Sequence, residues 1–372
     1  DVMDHHNMMA NLYSSRITTN KNHQGRLSSL QLPDSKKELT YKFNHRNFNF
    51  TIGICAIVKD MEPYLHEWLD YHLIAMNIKN IYLYDNSERN ILKNWYDNTR
   101  NHPVYKRVHV IHWHSPKHKG SLQEASYTDC VVRDRFRGRM GKGRNNIQQS
   151  NKKTLKKGGL NSAQGNDYLA FIDGDEFLVP QGNYTNVHEV IKDYLQPYGG
   201  ALTVNWMLFG SSNKTMYAPI PVTKRFQYRE EVPNNVIKSI VKTSDFRGIR
   251  NPHAVSLETS EGTVARTTHA KGQIQKEQFG KTGASDHMLP SKVLLLYHYR
   301  YLSESEYDRK ICERGHMDKN VCNHKAKKVF TSDEMKRNGK PDHLVSRPGT
   351  VFDETAWKIL TMRVPKYRFY DD

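Results

Sequence analysis

The stretch FTIGICAIVKDMEPYLHEWLDYHLIAMNIKNIYLYDN, residues 50–86, constrains the architecture more than any other feature of the chain. FTIGICAIV is a short continuous apolar run rich in β-branched residues, the pattern of a strand buried on both faces. A helix follows: Asp60 offers an N-cap, Pro63 suits a first turn, and Leu65, Trp68, Leu69, His72 and Leu73 recur at helical spacing. NIYLYDN (80–86) reads as a second buried strand and VHVIHWH (108–114) as a third. GSLQEASYTDCVVRDRF (120–136) reads as a second helix and DYLAFID (167–173) as a fourth strand. Strands alternating with helices predict an α/β fold with a mainly parallel sheet flanked by helices. Ligands of such sheets bind beyond the carboxyl ends of the strands.

The second half is less regular. GGALTVNWMLFG (199–210), KSIVKTSDF (238–246) and VLLLYHYRYL (293–302) read as strands. SESEYDRKICERG (303–315) reads as a helix with a Ser cap and acids in its first turn. Residues 1–45 are polar and aperiodic, a tail or stalk, and 318–372 form a lysine-rich extension with scattered anchors such as Val329, Phe330, Trp357 and Tyr367. The main folded body is expected over 46–317, interrupted by a basic insertion at 137–166. Its RGRMGKGRNNIQQSNKKTLKKGG segment holds eight basic residues and no acid. With no aromatic residue interleaved for base stacking, that segment reads as a solvated loop and not as a nucleic-acid arm.

The net charge of +17 favours anionic partners without choosing among them. Cys55, Cys130, Cys312 and Cys322 lack zinc-site spacing. Cys312 and Cys322 are the nearest pair, but spacing does not settle connectivity. Sequons at Asn49, Asn183 and Asn213 permit a secretory address. No apolar run is long enough to span a bilayer, and the chain begins with Asp. Both features fit a piece whose targeting or anchoring segment lies elsewhere.

The chemistry is expected in NDYLAFIDGDEFLVP (166–180), where Asp173, Asp175 and Glu176 interrupt an apolar run. A carboxylate there is costly unless it is paired or binds a cation. Read as an extended chain, FIDGDEF puts Asp173 and Asp175 on one side, with Gly174 leaving room for a ligand to approach. Two convergent carboxylates suit Mn²⁺ or Mg²⁺, with coordination left over for substrate phosphates. The alternative is an acidic turn in which Asp173 caps an amide. Glu176 is read as a structural salt-bridge partner. Such an ion would neutralise the diphosphate that departs from a UDP-sugar.

Five blocks in fixed order now matter together: CAIVKDMEPYLHEWLDYHLIAMNIKNIYLYDN (55–86), LQEASYTDC (122–130), DYLAFIDGDEFLVP (167–180), LTVNWMLFGSS (202–212) and LYHYRYLSESEYDRKICERG (296–315). In these the chain resembles the family 92 glycosyltransferases, a group with a GT-A type fold that includes galactosyltransferases. The resemblance implies a Rossmann-like nucleotide half and an irregular acceptor half. It implies Asp173, Asp175 and His298 at the metal, and Lys59, Asp60, Glu62, Asp85, Gln123 and Gly174 on the donor side. Trp206, Phe209 and Gly210 would shape the sugar and acceptor pocket. An inverting mechanism is implied, with a carboxylate base among Glu230, Glu231, Asp245, Glu258 and Asp286. The implied partners are a UDP-sugar, most simply UDP-galactose, and a glycan or polysaccharide acceptor. The implied setting is the Golgi lumen, with a type II anchor outside this chain.

Each position has a structural alternative. Asp85 also fits an Asx turn, Trp206 and His298 fit the core, Gln123 fits an exposed helix face, and Glu62 fits a helix N-terminus. His253 and Arg250, in RNPHAV (250–255), are further polar groups for such a site. Two other classes compete: a nucleotidyltransferase or phosphohydrolase on a similar sheet, and a non-catalytic basic module binding nucleic acid or acidic polysaccharide. Neither a P-loop nor a GxGxxG motif occurs, and no nucleic-acid partner is expected.

Overall fold

The computed structural model describes residues 48–114, 121–136, 165–258, 267–269, 292–312 and 349–371. The expectations for the tail, for most of the basic insertion and for residues 313–348 lie outside these. In the first half, β1 (Ile52–Val58), α1 (Glu62–Asp70), β2 (Asn80–Asp85), α2 (Leu92–Thr99), β3 (Val108–His112), α3 (Leu122–Phe136) and β4 (Tyr168–Phe171) alternate. After β5 (Glu176–Pro180) come α4 (Val187–Tyr194), β6 (Ala201–Leu208), α5 (Val222–Arg225), β7 (Tyr228–Arg229), β8 (Ile237–Lys242), β9 (Phe246–Asn251), β10 (Ala254–Leu257) and β11 (Thr267–His269). The remaining elements are β12 (Leu294–His298), α6 (Glu304–Cys312), β13 (Val351–Phe352) and α7 (Thr355–Arg363).

The main sheet runs β3-β2-β1-β4-β8-β6-β12-β5, with β11 beside β6. Pairing is parallel from β3 to β4 and between β6 and β12, and antiparallel around β8 and β5. The result is a mixed α/β, Rossmann-like fold, as the strand–helix alternation predicts. Strand period explains its two packed faces. Ile52, Ile54, Ala56 and Val58 of β1 enter one core with Ile81 and Leu83 of β2, whereas Cys55, Tyr82 and Tyr84 face the other. The first core takes in Leu65, Trp68 and Leu69 of α1 and Trp357 and Leu360 of α7. The second takes in Tyr127, Cys130 and Val131 of α3.

Local signals account for several element boundaries. The α1 helix begins at Glu62 with Pro63 in its first turn, but Met61 is the N-cap. Asp60 instead has φ 49° and donates its N–H to Ser87 Oγ at 3.0 Å. Helix α4 starts at a capping pair: the Asn186 side chain accepts the Glu189 amide at 3.0 Å, and Glu189 accepts the Thr185 amide at 2.8 Å. KSIVKTSDF is not one strand. It ends β8 at Lys242, turns at Thr243–Asp245 and starts β9 in a separate two-stranded sheet. The C-terminal residues close back on α1, where buried Asp70 accepts from the hydroxyls of Tyr105 and Tyr367 at 2.8 Å each.

A disulfide joins Cys55 in β1 to Cys130 in α3, 75 residues apart. Loop-closure entropy for such a crosslink corresponds to about 4.5 kcal/mol of stabilisation. It also fixes α3 against the sheet. The side chains of Cys312 and Cys322 lie outside the described residues. Among the described residues, no helix is long and apolar enough to cross a membrane.

His72 makes folding sensitive to acid. Its ring is fully buried, Nδ1 lies 2.9 Å from the Trp68 carbonyl, and burial lowers its pKa from 6.5 to about 3. The unfolded chain therefore takes up a proton that the native state refuses. The stability is complete above pH 6.5 and drains away as pH falls through that value towards 3. Between pH 7 and pH 5, urea titrations should show a loss of about 2 kcal/mol from this residue. His72→Gln should flatten the pH slope by that amount; an unchanged slope would contradict the assignment.

Candidate active site

The acids sit where the chain leaves β4 and re-enters the sheet as β5. They are not in one continuous strand, so period-2 alternation is not what brings them together. Residues Asp173–Glu176 form a tight turn: the Glu176 N–H donates to the Asp173 carbonyl at 3.2 Å, and the Asp173 N–H donates to Glu176 Oε2 at 2.8 Å. The carboxyl ends of β1, β2, β3 and β4 share this end of the sheet. Register places the start of β8 and the ends of β6 and β12 there too. His298 pairs with Glu176 across β12 and β5, and the Tyr299 N–H donates to the Asp175 carbonyl at 3.0 Å.

Each aspartate has its own partners. Asp173 Oδ1 accepts from Gln123 Nε2 at 2.6 Å and from the Tyr127 hydroxyl at 3.2 Å, both on α3. Its Oδ2 lies 3.0 Å from Nζ of Lys238, whose side chain is only 1% exposed. Asp175 Oδ2 accepts from Lys310 Nζ on α6 at 2.5 Å, and His298 Nε2 lies 3.5 Å away. Burial alone would raise both carboxyl pKa values. Lys238 instead lowers that of Asp173, and Lys310 with His298 holds that of Asp175 well below the usual range. Burial would likewise lower the Lys238 pKa, but Asp173 keeps the ammonium charged. Burial and the neighbouring Asp173 push the Glu176 pKa well up, and its side chain closes the turn through the Asp173 amide. The salt bridge expected of Glu176 does not form: no lysine or arginine pairs with it among the described residues, and its nearest ion-pair contact is His298 at 4.0 Å. Burial lowers the His298 pKa against the pull of Asp175, leaving the ring neutral.

Trp206 forms a wall of the site. Its ring lies 4.5 Å from His298 and 5.3 Å from His253, both edge-on. Glu176 Oε1, His298 Nδ1 and Trp206 Nε1 are buried with no hydrogen-bond partner among the described residues. Native interiors rarely leave such atoms unsatisfied, so their gathering marks a place that takes water or a polar ligand.

Other sequence candidates fall differently. Gln123 does reach the acid turn. Gly174 is needed for protein packing, because a Cβ there would meet Met61 and the Val58 side chain, not open space. Asp85 is fully buried, with Oδ1 accepting the Ser87 amide at 3.0 Å and Oδ2 the Leu92 amide at 3.1 Å. Both oxygens hold their own loop. Phe209 packs inward between Tyr297 and Tyr299 at 4.8 and 4.6 Å, and the Gly210 amide binds the Tyr228 carbonyl. These two therefore build core and not an acceptor pocket. Lys59 and Asp60 lie in the loop after β1 and Glu62 opens α1, at the site's end of the sheet.

Of the base candidates, Asp245 caps the Gly200 amide at 2.9 Å, and the Glu258 amide donates to the Asp245 carbonyl at 2.8 Å. Both follow β8, whose Lys242 end pairs with the start of β4, so they occupy the opposite end of the sheet. Arg250 is exposed and donates to Ser256. Asp286 lies outside the described residues. Glu230 and Glu231 remain near the end of β6, with the Glu230 amide donating to the Leu208 carbonyl at 2.9 Å.

Lys238, Lys310 and Tyr127 are the members that sequence reasoning missed. Lys238 alternates into the apolar run IKSIV, and a lysine buried there needs a carboxylate partner, so that signal was present. Lys310 is one of many lysines and carried no signal.

A shared cation passes a test of fit in part. Two ligands at about 2.1 Å from one ion stand roughly 3 Å apart, and Asp175 Oδ2 and His298 Nε2, 3.5 Å apart, are near that spacing. Asp173 is committed to Gln123, Tyr127 and Lys238. No three of His, Cys, Asp and Glu gather as a complete ligand set among the described residues.

No protein-family model matches the chain. A glycosyltransferase family 92 protein of rice (Oryza sativa subsp. japonica) is 24% identical over 262 residues, which make up 70% of this chain and 35% of that protein. The chain thus spans about a third of the length of this curated relative.

The Asp173–Lys238 pair is testable by its coupling. Lys238→Met should cost about 2 kcal/mol by leaving a half-buried carboxylate without its charge partner. Asp173→Asn in the same chain should recover most of that loss, as read by chemical denaturation. Additive losses would show that the two side chains are independent.

Proposed function

We propose that the chain is a glycosyltransferase whose sugar-nucleotide donor binds at the acid turn between β4 and β5. One observation carries the reading: an aspartate and a neutral histidine close to shared-ion spacing, beside three buried polar atoms that lack partners among the described residues, at the carboxyl end of the sheet. The likeness to the rice family 92 protein supports the same chemistry.

In this reading Asp175 and His298 would hold Mn²⁺ or Mg²⁺, with diphosphate oxygens completing the shell. The ion supplies charge neutralisation to a departing nucleoside diphosphate. The chain's own residues set the stage around it. Lys238 fixes Asp173 and keeps it ionised, Gln123 and Tyr127 fix its orientation, and Trp206 offers an aromatic edge beside the sugar. Inversion needs a base for the acceptor hydroxyl, and Glu230 and Glu231 are the described candidates on the correct side. UDP-galactose is the donor we propose, and a glycan or polysaccharide the acceptor. The Cys55–Cys130 disulfide and the exposed asparagines of the three sequons support a lumenal setting such as the Golgi.

A nucleotide-release assay over UDP-sugars should give turnover that chelator abolishes and added Mn²⁺ restores. Asp175→Asn should lower it by roughly a hundredfold while leaving the thermal melt in place. Full turnover in Asp175→Asn would refute the reading. Salt-sensitive polyanion binding indifferent to that substitution, without turnover, would favour a basic binding module instead.

A further inference from the structure

Resting on the ion-binding reading above, we propose that Lys310 is a built-in competitor for the cation at Asp175. Its ammonium holds the carboxylate while no divalent ion is bound and lets go when one arrives.

The two lysines of the site differ in freedom. Lys238 lies inside the sheet with its side chain 1% exposed and its ammonium 5.9 Å from the centre of the Tyr127 ring, so it has nowhere to withdraw. Lys310 comes from the last turn of α6 with 16% of its side chain exposed, and among the described residues its other hydrogen bond is to the Arg300 carbonyl at 3.3 Å. Asp173 therefore has a permanent countercharge and Asp175 a removable one.

The helix that carries Lys310 is itself fixed. One turn earlier, Glu306 accepts two bonds from the Arg225 guanidinium, at 2.8 and 2.9 Å, and one from the Tyr64 hydroxyl at 2.5 Å. It also accepts the Ser303 amide at 3.2 Å. With the first turn of α6 anchored, release of Asp175 needs only rotation of the Lys310 side chain about its flexible stem, with no movement of the helix.

Charge balance gives the reason for the exchange. Asp173 lies against the Lys238 ammonium and Asp175 against that of Lys310, so each carboxylate already has a countercharge in contact with it. A divalent ion added beside Lys310 would leave an excess of two positive charges in a half-buried place. The ion must displace the lysine or bring an anion with it, and a nucleoside diphosphate is such an anion. Lys310 thereby couples ion binding to donor binding.

The test is a titration of the full chain with Mn²⁺ alone, following free ion by electron paramagnetic resonance. Lys310→Met should bind Mn²⁺ roughly tenfold more tightly than wild type, equivalent to about 1.4 kcal/mol. Lys310→Gln provides a second neutral variant, and both are first checked for a wild-type thermal melt. Lys310→Arg, which keeps the charge, should stay at wild-type affinity, and Asp175→Asn should lose binding. Equal or weaker affinity in the neutral variants, with Asp175→Asn still losing the ion, overturns the competition alone. Absence of Mn²⁺ binding in every protein, the neutral variants included, overturns both this inference and the ion-binding reading beneath it.

Discussion

A short link shapes this molecule. Phe171 ends β4 near the middle of the sheet, and Glu176 begins β5 at its far edge beyond β8, β6 and β12. In a flat sheet those strands would lie about 19 Å apart. The connecting residues, even fully stretched, reach only roughly 18 Å, and here they are folded into a hydrogen-bonded turn. The sheet must therefore curl until β5 returns beside the end of β4. Asp173 and Asp175 lie on the seam where it does so, and the ends of β6 and β12 are drawn to the same place.

The seam creates an electrostatic problem, and the surrounding elements solve it. Carboxylates at a packed corner need donors or counterions, and these come from four elements: Gln123 and Tyr127 from α3, Lys238 from β8, His298 from β12 and Lys310 from α6. The disulfide at Cys130 pins the helix that brings the first two. The Glu306 network pins the helix that brings the last. Stability and site geometry thus depend on the same contacts. Glu176 is the exception among the acids: burial first, and then the neighbouring Asp173, push its pKa well up, and its Oε2 serves the turn by accepting the Asp173 amide.

Much of this was readable from residue pattern. The buried strands β1, β2, β4 and β6 announce themselves as apolar runs, and α3 by its length. The short polar helices α2 and α4 did not, because their apolar faces are narrow; the Asn186–Glu189 capping pair was the one local hint. The importance of FIDGDEF was legible because charge inside an apolar run demands an explanation. Its geometry was not, since a turn and a strand both place residues two apart within reach of one partner. The inward placement of Asp85 and Phe209 was not legible for a related reason: spacing cannot distinguish a carboxylate that binds its own loop from one that faces solvent, or an inward ring from a platform. That Asp245 falls at the other end of the sheet was also hidden, because which end a residue occupies follows from strand direction, which the sequence of an antiparallel β8 does not disclose.

The central claim is that the β4–β5 seam receives a divalent ion together with a nucleoside diphosphate. The most direct measurement is X-ray diffraction from crystals grown with Mn²⁺ and UDP, collected at the manganese edge. The account predicts an anomalous peak within bonding distance of Asp175 and His298, UDP phosphate oxygens on the same ion, and the Lys310 ammonium withdrawn from the carboxylate. A seam without manganese, with Lys310 still on Asp175 and UDP bound elsewhere or nowhere, would contradict it.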